Sequence, residues 1–195
     1  MTPRRRPAVF IDKDGTLVHD VPFNVDPERV RLREGAGRAL AQLAGAGFAL
    51  VLVTNQSGVA LGRFAAAALA PIWRRIDRLL AASGARLDGI YHYPHHPDGT
   101  VAGYTRICAC RKPQPGLLLQ AARDLGLDLD SSWMVGDILD DVQAGSAAGC
   151  RTVLLDVGSE TEWRRGPGRL PDAIAGSLLD AADAILARTC PRSAA

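Results

Sequence analysis

Residues 8–16 read Ala8-Val9-Phe10-Ile11-Asp12-Lys13-Asp14-Gly15-Thr16, an apolar run followed at once by two carboxylates two positions apart and a turn-forming Asp-Gly pair. Four apolar residues without polar interruption suit a buried strand. Asp12 and Asp14 then stand where strand gives way to loop, the place at which a parallel sheet opens a crevice for ligands. An Asp-x-Asp-Gly segment is also an ordinary turn, so the surrounding chain has to decide between the two readings.

Working outward, short apolar runs recur at 49–53, 89–92, 133–135 and 152–155. Between most of them, residues 36–44, 65–82, 116–125, 140–148 and 177–187 carry apolar side chains at helical spacing, with Gly or Pro nearby. Pro71 is expected to kink or delay the second of these helices. Strands alternating with helices predict an α/β chain: a Rossmann-like three-layer sandwich with a mainly parallel central sheet. Residues 1–190 read as one domain, with 159–170 as a loop and 191–195 as a tail.

The 195 residues are 47% hydrophobic, enough for a sizeable core, and 23 Lys and Arg against 21 Asp and Glu leave a formal charge of +2. That balance argues against a nucleic-acid or membrane surface. Arg4 to Arg6 form a short basic cluster that reads as a solvated tail. No run approaches the roughly 20 apolar residues of a bilayer span, so a cytoplasmic monomer acting on a small molecule is expected. Of the cysteines, Cys108 and Cys110 are spaced for metal binding in such a compartment, while Cys150 and Cys190 look incidental.

Three further segments bear on Asp12 and Asp14. Val53-Thr54-Asn55-Gln56-Ser57-Gly58 ends the second run with hydroxyl, amide and backbone donors suited to phosphate oxygens. Arg111-Lys112-Pro113 offers a forked cation and a point cation ahead of a helix. Val135-Gly136-Asp137-Ile138-Leu139-Asp140-Asp141 brings more carboxylates to the end of another run. Singly these are a polar loop, a surface basic pair and acidic helix caps. In this order, each at the end of a strand or the start of a helix, they resemble the four motifs of the haloacid dehalogenase superfamily of phosphatases. The resemblance implies that Asp12 is the nucleophile, Asp14 the general acid and base, and Thr54 and Lys112 phosphate stabilisers. It also implies Mg²⁺ held by Asp12, Asp137 and the backbone of Asp12-Lys13-Asp14, with Asp141 behind them. Asn55, Gln56, Ser57 and Arg111 would contact substrate. With about 37 residues between Gly15 and Val53, all needed for a loop and a helix, there is no room for a separate cap domain there.

The second half, with Tyr93-Pro94-His95-His96-Pro97 and later Cys108-Ala109-Cys110, resembles the heptose-1,7-bisphosphate 7-phosphatases. In that family a Cys-Pro-His-His-Pro segment and a Cys-x-Cys pair bind structural Zn²⁺. The resemblance covers nearly the whole chain and makes 92–110 a zinc-loop-like insert. His95, Cys108 and Cys110 would be ligands, but Tyr93 stands where the first cysteine belongs, and a structural zinc takes four ligands. Three readings compete: His92 completes the set, water completes it, or the metal is lost and Tyr93 packs. His96 reads as a loop histidine. The implied substrate is a phosphorylated sugar, a heptose bisphosphate. His19, Asp20 and Asn24 are candidates for its hydroxyls, and Arg63 or Arg106 for a second phosphate. Leu61 and Ile138 replace basic residues of that family, which argues the other way. Histidinol-phosphate phosphatases share the motifs but have a shorter loop than 96–108. A non-catalytic ligand-binding relative would be expected to lack Asp12 or Asp14.

Overall fold

The computed structural model describes residues 5–189. Six strands, β1 (Arg6–Ile11), β2 (Ala49–Asn55), β3 (Gly89–Tyr93), β4 (Leu127–Gly136), β5 (Arg151–Leu155) and β6 (Ala173–Ala175), form one sheet in the order β3-β2-β1-β4-β5-β6. Every pairing is parallel. Five helices connect them: α1 (Ala36–Gly45), α2 (Leu69–Ala81), α3 (Gly116–Leu125), α4 (Leu139–Ala147) and α5 (Leu178–Thr189).

The alternation of side chains along the central strands sorts the core into two layers. Val9 and Ile11 of β1 and Leu50 and Leu52 of β2 face one side, where α1, α2 and α5 supply Leu40, Ile76 and Ile185. Ala8, Phe10, Val51 and Val53 face the other, against Leu118 and Ala121 of α3 and Ala144 of α4. Both faces of the sheet are therefore covered, which is why its strands read as unbroken apolar runs. The chain builds outward from β1 to β3, then returns beside β1 as β4 and builds the other way. The reversal lies between β1 and β4, whose registers end at Ile11 opposite Val135. At such a point the loops beyond the carboxyl ends part and leave a crevice.

The structure departs from the sequence pattern in four places. The helix expected over 65–82 begins at Leu69, after a 3-10 turn at Ala66–Ala68. Pro71 falls in its first turn, where an N–H has no intrahelical partner to lose. β4 is longer than its apolar run, because residues after Asp128 shift register against β1. Ser132 repairs that shift: its hydroxyl accepts from the Ala8 N–H at 2.8 Å and donates to the Asp128 carbonyl at 2.5 Å. β6, three residues at the sheet edge, is too short to announce itself. Finally, Arg6 is no solvated tail residue. It opens β1, bonds the Gly47 and Phe48 carbonyls at 2.9 and 2.6 Å, and pairs with Asp88 at 3.0 Å. Arg4, Cys190 and the expected tail lie outside the described residues.

Ser132→Ala leaves the buried Ala8 N–H without an acceptor and is expected to destabilise the fold by about 1–3 kcal/mol. Urea denaturation checks this, with the exposed Asp130→Ala variant expected to change stability little.

Candidate active site

Asp12 follows β1 directly, and its N–H donates to the Val135 carbonyl at 3.0 Å, carrying the ladder one residue past the strand. Asp137 follows β4, the neighbouring strand across the reversal. The two carboxylates therefore meet because two strand ends do. Asp141, from the first turn of α4, joins them, and carboxylate oxygens of Asp12, Asp137 and Asp141 lie within 4.8 Å of one another. All three residues are buried.

Such crowding of like charge needs a counter-charge, and Lys112 supplies one. Its Nζ lies 2.5 Å from Asp12 Oδ1 and 2.6 Å from Asp141 Oδ1, and donates to the Val53 carbonyl at 3.1 Å. The Asp141 contact is a buried ion pair. Lys112 is only 3% exposed. Burial alone would lower its pKa, but Asp12 and Asp141 outweigh it and the net shift is upward, so the ammonium stays charged. One cation does not balance three carboxylates. Burial first, then the Asp12 charge, pushes Asp137 up to about 6. Burial pushes Asp141 up to about 7 against the opposing pull of Lys112.

Two glycines make the cluster sterically possible. A Cβ on Gly15, which has φ +81°, would stand 1.9 Å from Asp137 Oδ2, and one on Gly136 would stand 2.2 Å from the Asp141 side chain. The Thr16 hydroxyl donates to Asp137 Oδ1 at 3.0 Å, and Ser159 hydrogen-bonds the same carboxylate.

Asp14 is placed differently. Its carboxylate turns away from the acidic trio toward the Lys13 ammonium and accepts from Gln56 Nε2 at 3.2 Å. Gln56 Nε2 also donates to Thr54 Oγ1 at 3.0 Å. Burial raises the Asp14 pKa, Lys13 works against it, and Asp12 adds to it. The side-chain oxygens grouped for a cation are thus those of Asp12, Asp137 and Asp141. Asp14 is withdrawn by Lys13 and Gln56.

A cleft of about 280 Å³ is lined by Asp12, Asp14, Thr54, Lys112, Asp137 and Ser159, among others. A second cavity, bounded by Val21, Pro22, Phe23, Gly58 and Phe64, shares Asp14, Asp20 and Asn55 with it. The substrate candidates separate accordingly. Asp20 borders both cavities, and Asn24, Gln56 and Ser57 line the second. Asn55 borders both, but its amide is spent on a two-way clamp with the Lys112 backbone at 3.2 Å each way. His19 is exposed and lines neither cavity; its N–H is tied to the Arg31 carbonyl. Arg63 lies over the Phe23 ring at 5.5 Å, Arg106 is exposed, and Arg111 lines an adjoining hollow with Tyr93 and Cys108. Sequence reasoning gave no role to the side chains of Lys13, Thr16 or Ser159. A hydroxyl on a loop carries no signal until the fold brings it to Asp137. His92, considered as a zinc ligand, packs against Trp73 with ring centres 5.7 Å apart, on the sheet face opposite Tyr93.

A family model described as HAD-hydrolase-like matches residues 109–181. The D-glycero-β-D-manno-heptose-1,7-bisphosphate 7-phosphatase of Yersinia pestis is 42% identical over 182 residues, 93% of this chain and 96% of that protein. The chain belongs to the heptose-bisphosphate phosphatase family. The enzyme of the same name from Escherichia coli K12 is 40% identical over 92% of this chain and 93% of its own length. Among solved structures, the D,D-heptose 1,7-bisphosphate phosphatase of B. bronchiseptica superposes with a TM-score of 0.75 at 34% identity, covering 94% of this chain and 99% of that one, and was solved with magnesium and phosphate. No helix among the described residues of this family member is long and apolar enough to cross a membrane.

The acidic trio suits a hard divalent cation bound through oxygen. The raised pKa values of Asp137 and Asp141 mean that the fold retains protons which the unfolded chain has released. Without a cation, stability therefore falls as pH rises from the ordinary carboxylate range through about 6 to 7. Millimolar MgCl2 is expected to raise the melting temperature by several degrees at pH 7.5 and by little at pH 5, where protons occupy those groups. Thermal melts at the two pH values check it.

Proposed function

We propose that Asp12 is the nucleophile of a Mg²⁺-dependent phosphomonoester hydrolysis, and that the substrate is D-glycero-D-manno-heptose 1,7-bisphosphate, from which the 7-phosphate is removed. One observation carries the reading: at the reversal of strand order, a nucleophile-bearing carboxylate, a second carboxylate of raised pKa and a buried ammonium share one cleft. Whole-length similarity to enzymes named for that substrate supports the sugar.

Asp12, Asp137 and Asp141 would hold Mg²⁺, which when bound supplies positive charge against the phosphate oxygens and the attacking carboxylate. In the first step an Asp12 oxygen forms a bond to phosphorus in line with the departing sugar oxygen, whose bond to phosphorus breaks. Asp14 gives its proton to that leaving oxygen. The upward shift of its pKa favours the protonated form this requires. In the second step Asp14, now a carboxylate, takes a proton from water as the water oxygen attacks phosphorus and Asp12 is released. Thr54 and Lys112 border the cleft where the phosphate oxygens would lie. Gln56 holds Asp14 toward the cavity walled by Phe23 and Phe64, which offers the sugar a place beyond the phosphate. A cytoplasmic monomer acting on a diffusible sugar phosphate is the setting this reading implies.

A second reading, a substrate with one phosphate such as histidinol phosphate, is favoured by the lining of the two cavities. Their cations are Lys13 and Lys112, both already paired with carboxylates. Phosphate release from heptose 1,7-bisphosphate anomers, fructose 1,6-bisphosphate and histidinol phosphate separates the readings. The heptose bisphosphate is expected to be turned over best, and a preference for histidinol phosphate would overturn the substrate assignment. Asp12→Asn is expected to lower kcat by at least about 1000-fold while the melting temperature stays the same or rises, because an amide does not attack phosphorus and removes one crowded charge.

A further inference from the structure

Cys108 and Cys110 take no part in the phosphatase chemistry, yet they stand in the loop that delivers Lys112. The family resemblance implies that zinc holds this loop. A structural zinc takes four donors in a tetrahedron about 2.0–2.3 Å from the metal, and the residues here do not provide them. His92 lies on the opposite sheet face, against Trp73. The His95 ring is set edge-on to Tyr93 at 4.9 Å and lies 5.7 Å from Tyr104, so aromatic rings flank it. Among the described residues, His95, Cys108 and Cys110 are not drawn into one group as Asp12, Asp137 and Asp141 are.

Tyr93 occupies the ground between these residues. It ends β3 and is 1% exposed, packed with Phe10, Val51 and Val53, with Cys108 and Cys110 against the same cluster. Its hydroxyl lies beside the Cys108 thiol and donates to the Arg106 carbonyl at 3.4 Å. Where a cysteine would reach a metal with one sulfur, the phenol ring spans from the strand to the cysteine turn by itself. The rest of the loop is closed by main-chain bonds. The His96 N–H donates to the Tyr104 carbonyl at 3.1 Å, the Thr100 N–H to Ala60 at 2.7 Å, and the Gly116 N–H to Ala109 at 2.9 Å. The Asn55 clamp fixes the far end at Lys112.

We infer that Tyr93 does in this chain the work of a structural zinc, pinning the cysteine turn to the end of β3 and so fixing the approach of Lys112 to Asp12 without a metal. Unlike a metal staple, this one is indifferent to chelators and leaves both thiols free. The test uses the full chain purified from zinc-supplemented medium without an affinity tag. Zinc by mass spectrometry is expected below about 0.1 per chain, and a zinc-selective chelator, at constant MgCl2, is expected to leave the melting temperature within about 2 °C. Iodoacetamide, mapped by peptide mass, is expected to label Cys108 and Cys110 at the same rate with and without chelator. Near-stoichiometric zinc, or labelling that speeds up on chelation, would overturn the inference. Tyr93→Cys is expected to take up about one zinc per chain, since it restores the fourth donor. A variant that folds and stays zinc-free would show that the loop, and not Tyr93, excludes the metal, and the assignment to Tyr93 would fall.

Discussion

The repulsion among Asp12, Asp137 and Asp141 governs the design of this molecule. Two carboxylates about 4 Å apart repel by about 4 kcal/mol at the effective dielectric of a protein near its surface, and here three are gathered. Lys112 relieves part of that, at 2.5 and 2.6 Å from two of them. Burial first, and the remaining like charge after it, push Asp137 and Asp141 upward. A site left short of positive charge is suited to a divalent cation, and that cation then admits the phosphate which the carboxylates alone would repel. The same imbalance that weakens the empty site favours its occupation.

The sheet order and the loop before α3 serve this one arrangement. The reversal between β1 and β4 brings two acidic loops together without either having to bend back, and Gly15 and Gly136 remove the two Cβ atoms that would keep the carboxylates apart. Lys112 has a harder task, since it arrives from a long irregular segment whose own core is slight. Asn55 answers this at the Lys112 backbone, and Tyr93 at the cysteine turn. Both belong to the ends of strands, β2 and β3, so the position of the ammonium is referred to the same sheet that positions Asp12. Flexibility in the loop is thereby kept out of the distance that matters.

Much of this was legible because each chemical residue sits where an apolar run stops. Asp12 and Asp137 follow buried strands and Thr54 follows the apolar run of β2, and a change from branched apolar residues to Asp or Thr is visible in one dimension. The order of motifs then gave the sheet and the superfamily. Asp141 is visible as an acidic residue opening a helix, but its distance to Asp12 depends on how α4 leaves β4. Which way Lys13 and Gln56 draw the Asp14 carboxylate is not legible in one dimension, because Gln56 reaches it only through the fold. Thr16 and Ser159 had no signal: hydroxyls in loops are common, and their partner is defined only by tertiary packing. His19 shows the reverse, a polar residue next to the right loop whose backbone pairing with Arg31 leaves it outside the cleft.

The two motif carboxylates illustrate how position divides labour between identical side chains. Asp12 lies in the middle of the trio, held by the ammonium, where an oxygen is presented to the cleft and charge is compensated. Asp14, two residues on, has turned past the glycine corner, and its carboxylate faces both the phosphate cleft and the cavity beyond it. Partial burial raises its pKa, while Lys13 and Gln56 keep it from drifting into the trio. A proton donor must reach the oxygen that leaves, and in an in-line displacement that oxygen lies on the side of phosphorus opposite the nucleophile. Asp14 borders the outer cavity as well as the cleft, on the path that oxygen takes, and Asp12 borders the cleft alone. On the proposed reading, that placement suits Asp12 to attack and Asp14 to transfer the proton before any substrate is bound.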